Sequence, residues 1–196
     1  MRAESNQAIP GRKDIRGSLE PIKILRPGLT PGCYVIMVQN DLQEGSMDIH
    51  GVAPLIQVFD MPKAIHFYRD VLGFTVWASS EPGDNCNWCG LRLHGAEVML
   101  NTAYEADKRP AAPDPVRIAA HEDTCLFFGC KDLDAAYHHL RTHGVDLKEP
   151  KVAPYGMKQL WFKDPDGYGL CFQWPANPKW SDEWEKSAGI QPQTIA

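Results

Sequence analysis

The sequence predicts an α+β protein built from two tandem βαβββ modules. Two segments, about seventy residues apart, share an apolar run of strand length, an aspartate, a helical apolar stripe and a closing glycine. Further strand-like runs follow each segment. A repeat of this kind indicates two copies of one supersecondary unit.

The first copy begins with the apolar run Ala53–Phe59, which predicts a strand. Asp60 stands at a helix N-cap position, and Pro62 falls in the first turn, where a missing N–H is tolerated. Gly73 ends the predicted helix. The apolar stripe of that helix consists of Met61, Ile65, Tyr68 and Leu72. The strands predicted after the helix are Phe74–Trp77, Asn87–Leu93 and Glu97–Asn101.

The second copy begins with the apolar run Cys125–Cys130, which Asp132 follows as a helix cap. Gly144 closes this helix. Its stripe consists of Leu133, Ala136, Tyr137 and Leu140. The strands predicted after it are Val145–Leu147, Met157–Phe162 and Gly169–Trp174. The repeat therefore places modules at 52–103 and 122–175, with a proline-containing linker at 104–121. We expect residues 1–51 to be a partly disordered extension with one strand, Cys33–Gln39, and 176–196 to be a polar tail with one helical turn near Ser181–Lys186.

The charge and hydropathy of the whole sequence argue against some classes of binding partner. A formal charge of −5 without blocks of like charge argues against nucleic acid, and no run of apolar residues is long enough to span a membrane. The N-terminus lacks the apolar core of a signal peptide, so we expect a cytoplasmic protein with reduced thiols. Cys86 and Cys89 have redox-motif spacing, but in an extended strand they would lie about 10 Å apart, which favours packed thiols unless a turn forms there.

Two histidines on the second predicted helix, His139 and His143, could chelate a metal because they lie four residues apart. Both fall at the solvent edge of the apolar stripe, so we favour surface imidazoles over a metal site.

Two motifs stand out: D-x-x-x-A-x-x-F-Y-x-x-V-L-G-F from Asp60 to Phe74, and F-x-D-P-D-G-Y from Phe162 to Tyr168. They resemble motifs of the vicinal oxygen chelate superfamily, which includes glyoxalase I, fosfomycin-resistance enzymes, extradiol dioxygenases and bleomycin-resistance proteins. The resemblance covers 52–175 and implies that the two modules form a cup-shaped pair of mixed-sheet half-barrels that encloses a ligand cavity. It does not by itself imply a particular chemistry.

Enzymes of this superfamily carry metal ligands at four positions, which fall here on Ala53, Met99, Cys125 and Cys171. None of these side chains is an imidazole or a carboxylate, so we predict neither a hard-metal site nor any other cofactor. A soft-metal site of Met99, Cys125 and Cys171 for Cu(I) is the alternative, but apolar packing is favoured. The Ala53-Pro54-Leu55 sequence further resembles the metal-free bleomycin-resistance branch.

Alternate residues of a strand share a face, which predicts the side chains that line the cavity. The predicted ligand-binding set is Ala53, Leu55, Gln57, Met99, Asn101, Cys125, Phe127, Cys171 and Gln173. Its aromatic ring and amides suit a planar, uncharged, hydrogen-bonding ligand.

We therefore predict a metal-independent small-molecule binding protein, possessing no catalytic residue and acting as a homodimer that sequesters a drug or metabolite. The alternative is a metal-dependent lyase or isomerase of the glyoxalase I type (lactoylglutathione lyase-like). A third alternative is a structural or regulatory partner protein, whose cavity would be filled by its own side chains.

Overall fold

A computed structural model describes residues 51–105 and 107–187. The extension at 1–50, including the predicted strand Cys33–Gln39, lies outside the described residues. The first module consists of β1 (Leu55–Val58), α1 (Met61–Ile65, continued by a π-helical turn, His66–Val71), β2 (Thr75–Ser79), β3 (Trp88–Leu93) and β4 (Ala96–Thr102).

The second module repeats this order after a short connecting helix. The elements are α2 (Pro115–Ala120, continued by a 3₁₀ turn, His121–Asp123), β5 (Cys125–Gly129), α3 (Leu133–Thr142), β6 (Lys151–Val152), β7 (Met157–Lys163), β8 (Gly169–Pro175) and α4 (Pro178–Ser187).

Two open four-stranded mixed sheets confirm the predicted fold class. Their strand orders are β1-β4-β3-β2 and β5-β8-β7-β6. In each sheet the first strand runs parallel to the last, and the other neighbours are antiparallel. Leu55 lies opposite Met99 in the first sheet, and Phe127 lies opposite Cys171 in the second. The two sheets therefore have the same internal register, as a sequence repeat requires.

Both principal helices begin and end at the predicted residues. The Asp60 side chain accepts a bond from Lys63 N at 3.4 Å, and that of Asp132 accepts one from Ala135 N at 2.9 Å. Gly73 and Gly144 have φ values of 85° and 77°, in the left-handed region that a helix-ending glycine adopts without strain. The capping pattern in the sequence thus set the helix limits.

One apolar cluster spans both modules on the helix-facing sides of the sheets. Tyr68 and Ile65 from the first module belong to the same cluster as Leu140 from the second. Phe74 and Phe128 meet across the two modules with ring centroids 5.9 Å apart. Burying these apolar faces together leaves the opposite face of each sheet for other contacts.

The F-x-D-P-D-G-Y turn joins the modules through buried hydrogen bonds. Asp164 Oδ2 accepts from Tyr68 Oη at 3.0 Å, and Asp164 Oδ1 accepts from the backbone nitrogens of Asp166 and Tyr168 at 2.9 Å. Asp166 Oδ1 accepts from Phe59 N at 2.6 Å. Burial raises the pKa of Asp164 to about 6, outweighing these hydrogen bonds. The turn is therefore an inter-module junction as well as a strand connection.

Several local predictions were wrong. Val145–Leu147 is not a strand, and the short strand at this end of the sheet is β6 instead. The linker contains α2, and the tail contains the ten-residue helix α4 where a single turn was expected. The α4 helix is attached to its sheet by a bond of 2.7 Å from Trp174 Nε1 to Ser181 Oγ.

One prediction about single side chains needs correction. A bend precedes β3 and brings the Cys86 and Cys89 thiols into hydrogen-bond contact, so they are not separated as in an extended strand. His139 and His143 are both exposed, as predicted, and His139 Nε2 also lies 2.8 Å from the Val71 carbonyl of the other module.

In the part of the chain that the structure describes, no helix has the length and apolar character needed to cross a membrane.

Candidate ligand-binding face

Each sheet has one face that the helices do not cover, here called its open face. In β1, Ile56 and Val58 pack in the core, which leaves Leu55 and Gln57 on the open face. The same alternation in the other strands also places there Trp88, Gly90, Arg92, Glu97, Met99 and Asn101 in the first sheet, and Cys125, Phe127, Gln159, Trp161, Lys163, Cys171 and Gln173 in the second.

All but one of the predicted ligand-binding residues thus lie on an open face. Ala53 is the exception by position, since it precedes β1, where it is half-buried. Met99 and Cys171 occupy equivalent places, because they lie opposite Leu55 and Phe127, which follow Ala53 and Cys125 by two residues each. Burial raises the pKa of Cys171 to about 12, and the neighbouring Cys125 thiol contributes a smaller part of this rise.

Exposed apolar side chains line both open faces. Leu55 is 50% exposed and Trp77 48% in the first module, and Phe127 is 51% exposed and Trp161 48% in the second. Phe127 and Trp161 make an edge-to-face contact with ring centroids 5.3 Å apart. Apolar rings exposed in this way indicate a surface that a ligand or another chain covers.

Trp77 lies on the open face because of an irregularity in β2. A register irregularity between Val76 and Ala78 frees Trp77 from regular pairing in β2. Its indole lies directly over Gly90, where a Cβ atom would approach within 2.7 Å of the ring. Arg92 lies above the same ring, 4.7 Å from its centroid.

Amide side chains form a hydrogen-bonded group on each open face. In the first sheet Asn101 Nδ2 donates to Gln57 Oε1 at 3.2 Å. In the second sheet Trp161 Nε1 donates to Gln159 Oε1 at 3.3 Å, and Gln159 Nε2 donates to Gln173 Oε1 at 2.9 Å. The predicted set omitted Gln159 and Trp161. Their pairing with Gln173 and Cys171 was the missing signal, since it places them on the same face.

The donors present do not fit the metal of the enzymatic relatives. Ala53 has no donor atom, and the other three positions hold sulfur ligands, whereas a catalytic Zn, Ni or Mn site uses imidazole and carboxylate. Glu97 lies near Ala53, but its carboxylate pairs with Arg92 at 3.2 Å. Among the described residues no cluster of three or more histidine, cysteine, aspartate or glutamate side chains could hold a metal ion.

The comparisons with known proteins agree with this architecture. A family model described as Glyoxalase/Bleomycin resistance protein/Dioxygenase superfamily matches residues 49–172. The chain belongs to this superfamily. Uncharacterized protein YaeR of Escherichia coli (strain K12) is 32% identical over 129 residues, which cover 64% of this chain and 95% of that protein.

Solved structures show similarity over about two thirds of this chain. The crystal structure of SMU.1112c superposes with a TM-score of 0.50 and 22% identity, covering 64% of this chain and 99% of that one, and this likeness concerns the fold alone. TnmS3, an antibiotic binding protein from Streptomyces sp. CB03234, is 28% identical with a TM-score of 0.49, and the match covers 66% of this chain and 99% of TnmS3.

Proposed function

We propose that this superfamily member is a metal-independent binding protein that sequesters a small, planar, uncharged molecule in the cytoplasm, as in the bleomycin-resistance branch. The observation that carries the proposal is the chemistry of the four positions where enzymatic relatives hold a metal. Alanine, methionine and two protonated cysteines replace the hard ligands there, while the rings and amides around them remain available to a ligand.

The ligand site, on this proposal, is completed by a second copy of the chain. The exposed rings of Trp77, Phe127 and Trp161 support this, because apolar surface of this kind gains free energy when it is covered. A homodimer that placed open faces opposite each other would bury a planar molecule on both sides. It would leave the helix faces, which are already packed, unchanged.

An equilibrium titration tests the binding role. Bleomycin and a panel of planar aromatic drugs are titrated into the full chain, and tryptophan fluorescence reports binding because Trp77, Trp88 and Trp161 belong to or adjoin the open faces. We expect saturable binding of at least one planar compound, weakened by Trp77→Leu. The matched control is Trp180→Leu, since Trp180 packs beside Gly156 and away from these rings. Failure of every compound in the panel to bind would count against the proposal.

Elemental analysis separates this function from the glyoxalase I type of chemistry. Protein purified without chelators is expected to contain no stoichiometric Zn, Ni or Mn, because the residues at the four positions offer no hard ligand. A one-to-one content of any of these metals would overturn metal independence and favour the lyase alternative.

A further inference from the structure

The hydrogen bonds on the open faces have a fixed direction. An indole N–H can only donate, so the Gln159 atom that faces Trp161 Nε1 is an oxygen. The Gln159 nitrogen is therefore the atom that faces Gln173, and the Gln173 atom that meets it is an oxygen. The Gln173 NH₂ group therefore takes no part in this chain of hydrogen bonds.

In the first sheet a backbone carbonyl oxygen, and not an indole N–H, fixes the direction of the amide hydrogen bonds. Asn101 Nδ2 lies 3.3 Å from the Thr102 carbonyl oxygen, which can only accept, so this Asn101 atom is the amide nitrogen. The same nitrogen donates to Gln57, whose facing atom is therefore oxygen. The Gln57 NH₂ group is then left free in the same way. Within the described residues, no hydrogen-bond acceptor contacts either of these two NH₂ groups.

The charged side chains of the open faces are already paired. Lys163 Nζ lies 2.6 Å from Glu122 Oε1, and Arg92 Nη2 lies 3.2 Å from Glu97 Oε2. The thiols of Cys125 and Cys171 stay protonated at neutral pH because burial raises the pKa of both. A ligand on this surface thus meets neutral donors beside aromatic rings, and it finds no unpaired ion among these groups.

From this geometry we infer that Gln57 and Gln173 select the ligand, and that the ligand class is a planar aromatic compound carrying carbonyl-type acceptor oxygens. This inference rests on the proposed binding function and adds the chemistry of the molecule bound. Carbonyl oxygens in the plane of a ring system accept from the two NH₂ groups while the ring lies against Trp77, Trp161 or Phe127. A hydrocarbon of the same shape leaves both donors without a partner.

A matched pair of probes tests the inference. Fluorene and fluorenone share one planar ring skeleton and differ in a methylene against a carbonyl. Wild-type protein is titrated with each, and we expect fluorenone to bind about tenfold more tightly, which is the usual effect of one satisfied hydrogen bond. The ratio of the two dissociation constants is the readout, because it cancels general effects on the binding surface.

Isosteric variants identify the donors. Gln173→Glu still accepts the bond from Gln159, and Gln57→Glu still accepts the bond from Asn101, but each variant loses the NH₂ donor. We expect the double variant to bring the ratio close to one, and the single variants to show which amide meets the carbonyl. Asn85→Asp adds the same charge in the exposed β2–β3 turn and is expected to keep the wild-type ratio.

The possible outcomes distinguish the assignment of ligand class from the proposed binding function. Equal binding of both probes to wild-type protein, or an unchanged ratio in the folded double variant, overturns the assignment of ligand class and leaves the binding function standing. Absence of binding by both probes overturns the assignment of ligand class when a compound of the drug panel binds, and it overturns the proposed function when no compound of the panel binds. If the double variant does not fold, as judged by circular dichroism, the wild-type ratio decides alone.

Discussion

Replacing Asp164 by asparagine should remove a pH dependence of stability that originates at the module junction. The Asp164 side chain is 5% exposed and accepts three hydrogen bonds, two of them from backbone nitrogens to Oδ1. An asparagine carbonyl oxygen can accept the same two backbone bonds, and the Tyr68 hydroxyl can rotate to accept from the new amide. Asp164→Asn therefore keeps the shape of the turn and deletes only the ionisation.

The size and sign of the effect follow from the pKa of Asp164, which burial raises from 3.8 to about 6. Between these two values the folded chain binds more protons than the unfolded chain, so the stability contributed by Asp164 falls as the pH rises. It is fully present below about pH 4 and lost above about pH 6. Since one pKa unit corresponds to about 1.4 kcal/mol, the loss is about 3 kcal/mol.

Urea denaturation of wild type and Asp164→Asn at a series of values from about pH 4 to about pH 7 measures this loss. The difference in unfolding free energy, wild type minus variant, should fall by about 2.5 kcal/mol across the series, because the unfolded carboxyl is already partly ionised near pH 4, and titrating groups that do not interact with Asp164 cancel in it. Asp146→Asn, which changes an exposed carboxylate to the same amide, is the matched control. A flat or rising difference for Asp164→Asn would refute the reasoning, because it would mean that the hydrogen bonds outweigh desolvation.

Two further variants test the junction and the open face. Tyr68→Phe removes the hydroxyl that donates to Asp164 at 3.0 Å. It should lower the unfolding free energy by about 2 kcal/mol at neutral pH, which is the usual value for a hydrogen bond to a charged acceptor. A loss below about 0.5 kcal/mol in urea denaturation would contradict this. Gly90→Ala places a Cβ 2.7 Å from the Trp77 ring and should displace the indole at a cost of about 1 kcal/mol, because the ring is half exposed and can move. The tryptophan emission spectrum should shift, and an unchanged spectrum would show that the ring does not rest on Gly90.

The repeat and its capping residues predicted the fold because they are local signals. Asp60, Gly73, Asp132 and Gly144 limit their helices through contacts within a few residues, so one pass along the chain finds them. Strand alternation likewise placed Gln57 and its partners on a common face, because the strands that carry the predicted set are regular.

The interactions missed by the sequence reasoning depend on tertiary contacts. Tyr168 Oη reaches the backbone of Gln57, 111 residues away, and no local pattern encodes that distance. The contact between the Cys86 and Cys89 thiols depends on a bend before β3, where an extended strand was assumed. Gln159 was missed because its role follows from its register against Gln173.

The two open faces place an indole at the same point by different means. Gly90 and Trp161 are equivalent, because they lie opposite Met99 and Cys171 respectively. In the second sheet Trp161 supplies the ring itself, whereas in the first sheet the glycine makes room for Trp77, which crosses from the neighbouring strand. Core packing does not explain why both sheets place an indole at this position, because the Trp77 and Trp161 rings lie outside the core and are half exposed. A requirement for an aromatic ring on each open face does explain it, and a planar ligand is what such a pair of rings accommodates.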